Sequence, residues 1–286
     1  MSVKKPLFVF FGTPDLSVTV LEALYARGYK PALIVTAPDK PKGRGLVTTP
    51  SPAKAWGEKQ GIDVCTPETL ADADFLAAIE NTDWDVFVVA MYGKLIPKHI
   101  LDLPRRGTLN VHPSLLPKFR GPSPVLSAIL ADERTTGVTI MQLTEKMDAG
   151  PIVAQARIEV DEDTGEGGWP PKGSAFETFL AAEGGTLLAE TLEPWISGEI
   201  PAEPQNEIAA TYTKKFSSED ALIDPLGDPR AELLKIRAFD KSPRAHFFHN
   251  NTRLIVTDAS IEDGKLVIIR VIPEGKSEMD YAQYLG

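Results

Sequence analysis

Residues 7–15 read LFVFFGTPD, and the fold turns on them. Leu7 to Phe11 are five consecutive apolar residues, whereas a strand with one face in water alternates apolar with polar, so this run suits a strand buried on both faces. It breaks at Gly12-Thr13-Pro14-Asp15, a turn composition, and a helical pattern begins at Asp15. The pattern recurs downstream. ALIVT from Ala32 leads to a helix near Ala53 to Lys59, DVFVVAM starts at Asp85, and TLNVH starts at Thr108. Doubly buried strands alternating with helices predict a doubly wound α/β core around a mostly parallel sheet. The first turn carries no G-x-G-x-x-G, so the dinucleotide fingerprint is absent and an NAD-dependent reaction is excluded.

Outward from this core, Thr136 to Val160 reads as two strands around a polar turn at Glu145 to Gly150, and a helix with small residues runs from about Ala175 to Trp195. Pro201 to Tyr212 is polar, proline-bearing and aperiodic, which suits a linker. An amphipathic helix from Asp228 and β-type runs at His246–Phe248, Leu254–Thr257 and Leu266–Val271 follow. A chain of 286 residues exceeds the usual size of one domain. The expected division is 1–199, a linker at 200–213, and a small β-rich domain at 214–286.

Hydrophobic residues make up 43% and charged residues 24%, ordinary for a globular protein, and no apolar run approaches the roughly 18–20 residues of a membrane-spanning helix. The apolar run at the N-terminus reads as a strand, not as a signal segment. Cys65 is the single cysteine, so neither an intramolecular disulfide nor a cysteine metal cluster can form, and a reducing, cytoplasmic setting is expected. The net charge of −10 argues against a dominant nucleic-acid binder. Two segments run against it: Lys40, Lys42, Arg44 and Lys54 face only Asp39 between Thr36 and Lys54, and Lys94, Lys98, Arg105, Arg106, Lys118 and Arg120 face only Asp102 between Met91 and Arg120. Brought together, they would form a positive rim for an anionic substrate; apart, they are solvated loops.

Asn110 and His112 lie two apart at the end of TLNVH, so period-two alternation points both side chains to one side. In open α/β sheets ligands bind beyond the carboxyl ends of strands, where this pair sits, with Pro113 ending the strand. An Asn amide can donate to a developing oxyanion, and a His can do so when protonated or can shuttle a proton. By themselves the two also fit a capped strand end. Asp148, in the Met-Asp-Ala-Gly-Pro turn, could favour the imidazolium and orient it, or could simply hold the turn. No serine or cysteine nucleophile stands at an elbow, which suggests transfer between bound substrates without a covalent enzyme intermediate. No histidine has convincing metal-ligand spacing.

At these residues the chain resembles the folate-dependent formyltransferase family. The resemblance rests on Asn110-Val111-His112-Pro113-Ser114-Leu115-Leu116-Pro117 with Arg120-Gly121, then Gly137-Val-Thr-Ile and Asp148-Ala-Gly150, and it continues over nearly the whole chain. It implies a Rossmann-like core with catalytic Asn110, His112 and Asp148, a formyl group supplied by 10-formyltetrahydrofolate, and no metal. Ser114, Leu115, Leu116 and Pro117, with Met91, Tyr92, Gly93 and Leu95, would line the folate pocket. Gly12-Thr13-Pro14-Asp15, the run Thr36 to Gly45 with its Gly43-Arg44-Gly45, and Pro50-Ser51-Pro52 are similar to the branch acting on initiator methionyl-tRNA. That similarity implies Arg44, Lys40 and Lys42 as tRNA contacts and a monomeric enzyme. The alternative is a sugar-nucleotide N-formyltransferase, which shares the triad but lacks the G-R-G loop.

Two departures stand out. The family's C-terminal domain is an OB-like five-stranded barrel, whereas the stretch after the helix at Asp228 accommodates about three short strands. The barrel therefore reads as truncated. Residues 201–286 hold 11 Lys and Arg against 14 Asp and Glu, a balance unsuited to phosphate binding, so tRNA recognition is expected to rest on the Thr36–Lys54 loop and the Met91–Arg120 rim. Gly165 to Gly173 reads as an insertion, either a lid or a surface loop.

Overall fold

The computed structural model describes residues 5–42, 46–161 and 169–286. The opening run forms β1 (Phe8–Phe11), and all four residues are fully buried. Val9 and Phe11 point into a cluster with Leu33, Val35, Phe75, Ile79, Phe87 and Val89, while Phe8 and Phe10 are sealed too. Both sheet faces are thus covered, the physical reason the strand carries no polar alternation. The turn that follows demands glycine by proximity, since a Cβ on Gly12 would lie 2.6 Å from the Phe10 ring and 2.9 Å from the Ala90 carbonyl oxygen. The turn is tied across to the next sheet position by Ser17, whose Oγ donates to the Ala90 carbonyl (2.7 Å) and accepts from the Thr13 amide (3.0 Å).

After β1 come α1 (Asp15–Ala26), β2 (Leu33–Val35), β3 (Lys40–Lys42), β4 (Val47–Thr49), α2 (Pro52–Lys59), β5 (Asp63–Cys65), α3 (Ala73–Glu80), β6 (Val86–Val89), α4 (Lys98–Leu101), β7 (Thr108–His112), α5 (Pro124–Leu130), β8 (Thr135–Gln142) and β9 (Ile152–Glu159). Seven strands form one sheet in the order β5-β2-β1-β6-β7-β8-β9. The pairs β5–β2, β2–β1, β1–β6 and β6–β7 are parallel, and β7–β8 is antiparallel. The strand order reverses between β1 and β6, which opens a crevice at their carboxyl ends. Val89 of β6 is level with Asn110 of β7, so the loop after β6 leaves the sheet beside the Asn110–His112 pair.

The expected doubly wound, mostly parallel sheet is present. Absent from the expectation were β5 and α3, although Asp72, whose carboxylate accepts from the Asp74 and Phe75 amides, is a legible helix cap before an apolar Phe75/Ile79 pair. The basic loop is a β-hairpin, with Lys40 opposite Thr49 and Lys42 opposite Val47.

The remaining elements are α6 (Gly173–Ser197), α7 (Pro229–Ala238), β10 (His246–His249), β11 (Thr252–Glu262), β12 (Lys265–Pro273), β13 (Met279–Asp280) and α8 (Tyr281–Leu285). Strands β10 to β13 form a four-stranded antiparallel sheet in sequential order. It has one strand more than the sequence suggested, and β11 and β12 are longer than the apolar runs that marked them. The polar ends of these strands, such as Asp258–Glu262 against Lys265–Arg270, pair through irregularities on either side of Asp258 and bury little beyond Ala259, so apolar content alone underestimates their length.

Contacts divide the chain into two units: Met1–Arg120 with Gly137–Arg157 and Thr178–Thr211, and Gly121–Thr136 with Ile158–Glu177 and Tyr212–Gly286. The second unit holds α5, α7 and the four-stranded sheet. Within it Asp132 accepts from the Trp169 indole and from two nitrogens of Arg230, whose guanidinium keeps the carboxyl below the usual carboxylate range. Trp169 to Gly173, the end of the expected insertion, belong to this unit, and Gly165 to Gly168 lie outside the described residues. No helix among the described residues is long and apolar enough to cross a membrane.

Candidate active site

β7 delivers Asn110 and His112 to the carboxyl end of the sheet, as period-two spacing predicts. Their environments differ. Asn110 is half-buried, and among the described residues its carboxamide has no hydrogen-bond partner. A half-buried amide with both donors uncommitted is preorganised to meet a ligand oxygen. His112 is 4% exposed, and its ring is anchored at one nitrogen and faces a carboxylate with the other. Nε2 lies 3.0 Å from the Phe119 carbonyl oxygen, and Nδ1 lies 3.8 Å from Asp148 Oδ2.

A carbonyl oxygen can only accept, so Nε2 carries the proton in the neutral ring and Nδ1 is the nitrogen free to gain one. Burial pushes the His112 pKa below its ordinary value, while the Asp148 carboxylate and the Phe119 carbonyl pull it back up. Desolvation prevails, and the resting ring is neutral at pH 7. A proton arriving at Nδ1 would sit directly against the Asp148 carboxylate, so the pair is built to stabilise charge that develops during a reaction.

Three non-glycine residues around this point adopt left-handed backbone: Met91 (φ 50°), Phe119 (φ 61°) and Asp148 (φ 48°). Such conformations cost on the order of 1 kcal/mol or more each and persist where surrounding structure over-determines them. At Phe119 the left-handed turn accompanies a carbonyl directed at His112. At Gly150, two residues beyond Asp148, a Cβ would stand 1.7 Å from the Gln142 carbonyl oxygen, so the loop carrying Asp148 can close onto β8 only with glycine there.

The loop after His112 is also fixed. Ser114 is fully buried and its Oγ donates to the Lys118 carbonyl (2.7 Å). The Leu116 amide donates to Thr139 Oγ1 (3.1 Å), and the Gln155 amide nitrogen donates to both the Leu116 carbonyl (2.9 Å) and Thr139 Oγ1 (2.8 Å). Leu115 and Pro117 are half-buried, and Leu116 is buried behind a cis Leu116–Pro117 bond. On the adjoining loop Met91 is half-buried, Gly93 is exposed at φ 72°, and Leu95 is 85% exposed. Tyr92 is buried, its hydroxyl has no partner among the described residues, and burial pushes its pKa up to about 12, with Cys65 adding to the effect.

The basic segments fare differently. On the Met91–Arg120 rim, Lys94 donates to the Pro67 and Glu68 carbonyls, Lys98 pairs with Asp102, and Arg105 pairs with Asp85. Arg106 stacks over Trp195 at 4.7 Å, and Arg120 is buried against Gln205 and Glu207. Lys98 and Arg105 thus have carboxylate partners while their side chains stay more than half exposed. In the hairpin Lys40 is exposed, and in α2 Lys54 is paired with Asp39 at 2.9 Å. Lys42 belongs to β3, and Arg44 lies outside the described residues. Among the described residues, no three His, Cys, Asp or Glu side chains group to hold a metal ion.

Sequence reasoning missed Phe119 and Gln205. Nothing local marks either, because each acts through its backbone or through a partner distant in sequence.

Residues 4–170 match the formyl transferase family model, and the chain belongs to that family. Within it, the chain is 40% identical over 253 residues to the methionyl-tRNA formyltransferase of Chloroflexus aggregans, covering 88% of this chain and 80% of that protein. It is 41% identical over 271 residues to the enzyme of that name from Thermus thermophilus, covering 93% and 85%. Among solved structures, methionyl-tRNA formyltransferase from Clostridium thermocellum superposes with a TM-score of 0.59 at 15% identity, covering 93% of this chain and 99% of that one. HypX from Aquifex aeolicus superposes with a TM-score of 0.67 at 18% identity, covering 99% of this chain, which spans 47% of HypX. At these identities the structural matches speak for the fold.

Proposed function

We propose that the protein transfers the formyl group of 10-formyltetrahydrofolate to the α-amine of initiator methionyl-tRNA. The observation that carries the chemistry is the uncommitted Asn110 amide beside the His112–Asp148 pair; the acceptor follows from relatives of that name at about 40% identity over most of both chains.

The neutral amine attacks the formyl carbon, the carbonyl oxygen takes on negative charge, the bond from the formyl carbon to the folate nitrogen breaks, and the amine gives up a proton. Asn110 donates to the oxygen as its charge grows. His112, anchored through Nε2 on Phe119, turns Nδ1 to the same region; protonated there, it stabilises the oxyanion, with Asp148 holding the imidazolium. Asp148 accepts the proton lost by the amine, and that proton is handed on to the folate nitrogen as it leaves, so no net proton is consumed or released. The loop from Ser114 to Pro117 and the residues Met91, Tyr92, Gly93 and Leu95 line the folate side. The half-buried Met91 and exposed Leu95 supply apolar surface, and the pinned 114–117 backbone supplies fixed polar groups.

Residues 1–199 carry the transfer chemistry, 200–213 connect, and 214–286 form the accessory domain. The hairpin with Lys40, Lys42 and Arg44 meets the tRNA acceptor end, and the enzyme works as a cytoplasmic monomer. The test supplies 10-formyltetrahydrofolate with initiator methionyl-tRNA, with an amino-sugar nucleotide, or with no acceptor. Formylation of the tRNA alone is expected. Formylation of the sugar nucleotide, or formate release without acceptor, overturns the assignment.

A further inference from the structure

The segment that sequence marks as a linker is bonded along its length to both loops of the site. Glu203 and Ile152 exchange backbone hydrogen bonds, 2.8 Å in each direction. Thr211 accepts the Phe119 amide on its hydroxyl (2.8 Å) and the Arg120 amide on its carbonyl (2.9 Å), and its own amide donates to the Pro117 carbonyl (3.2 Å). Between these ends lies Gln205, 9% exposed. Its Nε2 donates to the carbonyl oxygens of Asp148 (2.8 Å) and Gly150 (2.7 Å). Its Oε1 accepts from Arg120 Nε (3.0 Å) and from a terminal guanidinium nitrogen (2.8 Å). Arg120 is 1% exposed and reaches Glu207 at 2.8 and 3.0 Å.

Every polar atom of the Gln205 carboxamide is thus used. Arg120 fixes which end is oxygen, because a guanidinium only donates, so the amide nitrogen must face the Asp148 loop. That loop needs holding: Asp148 is left-handed at φ 48°, and the cheapest relaxation is rotation of the peptides that flank it. Gln205 grips the carbonyl of the peptide that follows Asp148 and, two residues on, that of Gly150, so the turn is held at two points. Rotation would swing the carboxylate, which stands at 3.8 Å from His112 Nδ1 with little distance to spare for an ionic contact.

We propose that Gln205 is a positioning residue for formyl transfer: locked by the buried Arg120, it pins the Asp148–Gly150 backbone and so sets the Asp148 carboxylate against His112. This rests on the reading of Asn110, His112 and Asp148 as the transfer centre. The chain carries its catalytic loops and its clamp far apart in sequence, and the clamp closes only when residues 203–211 have docked on the core. An incompletely folded enzyme therefore lacks an ordered Asp148.

The test compares wild type with Gln205→Glu, which keeps an acceptor for Arg120 and loses both N–H donors, and with Gln205→Asn, which is one methylene too short to bridge both partners. Turnover is measured with 10-formyltetrahydrofolate and methionyl-tRNA, and the His112 ring is titrated by NMR, which needs no turnover. Expected is a fall in kcat of about 10²-fold, the scale of a misplaced catalytic group, with KM for the folate within about threefold. The His112 titration should also move further down, because the carboxylate favouring its imidazolium has shifted. A folded Gln205→Glu protein with wild-type kcat and titration overturns the proposal. So does loss of kcat with an unmoved His112 titration, which is the signature of general loosening, and so does failure of both variants to fold, which makes the residue structural. If the wild type does not formylate methionyl-tRNA, the functional reading fails and the NMR titration alone decides the positioning role.

Discussion

His112 Nδ1 and Asp148 Oδ2 stand 3.8 Å apart, beyond a hydrogen bond and within reach of an ion pair, while Nε2 of the same ring is anchored 3.0 Å from the Phe119 carbonyl oxygen. The anchor sets the tautomer and the gap sets the chemistry. A ring already bonded to the carboxylate would rest as imidazolium; this one rests neutral in a dry site and gains its partner when it gains a proton.

That arrangement makes stability depend on pH. The folded-state pKa of His112 is lowered by burial, so its contribution is fully present above the unfolded value near 6.5 and is lost as pH falls from there toward the folded value. Unfolding free energy measured in urea should drop between pH 7.5 and 5.5, by at most about 1.4 kcal/mol per pH unit for one proton. His112→Gln should flatten that part of the profile. An equal slope in the variant would assign the effect to other groups.

Asn110→Ala should lower kcat by about 10²–10³-fold, the usual cost of one oxyanion donor, with the folding midpoint nearly unchanged, because no internal hydrogen bond is lost. Single-turnover formylation at saturating folate reads the chemical step directly. A rise in KM with unchanged kcat would instead make Asn110 a binding residue.

Tyr92→Phe removes a buried hydroxyl that has no partner among the described residues, from a ring whose centroid lies 5.4 Å from that of Phe11. An unsatisfied buried polar group costs about 1–3 kcal/mol, so the variant should be as stable as wild type or more stable by about 1 kcal/mol. Chemical denaturation checks this. Clear destabilisation would show that the hydroxyl is satisfied in solution.

Arg44→Ala should sharply reduce formylation of methionyl-tRNA while leaving folate affinity unchanged, since the hairpin strands keep their pairing at Lys40–Thr49 and Lys42–Val47. Raising salt should weaken wild-type tRNA affinity more than that of the variant, because one phosphate contact fewer flattens the dependence. Undiminished transfer in the variant would remove the hairpin from acceptor recognition.

Much of the fold was legible. Runs such as LFVFF and DVFVVAM become central parallel strands because a strand covered on both faces has no polar position to show, and period two at Asn110 and His112 puts both at one strand end. Less legible were elements whose register depends on partners: the long polar ends of β11 and β12, the short edge strand β5, and the hairpin hidden in a basic loop. The partners of the cations between Met91 and Arg120 were illegible for the same reason. Lys98, Arg105 and Arg106 look free in sequence, yet Asp102, Asp85 and Trp195 claim them in space.

The sequence by itself determined the class of core, because local periodicity carries that information, while Asn110, His112 and Asp148 were picked out together through the resemblance of their motifs to a known family. Only the tertiary structure decided the state of those residues. Whether His112 rests neutral depends on what buries it and on a carbonyl seven residues away, and whether Asp148 faces it depends on Gln205 and Arg120. Those are properties of a low-dielectric, hydrogen-bonded surrounding, and it exists only once separate stretches of chain have closed around the site.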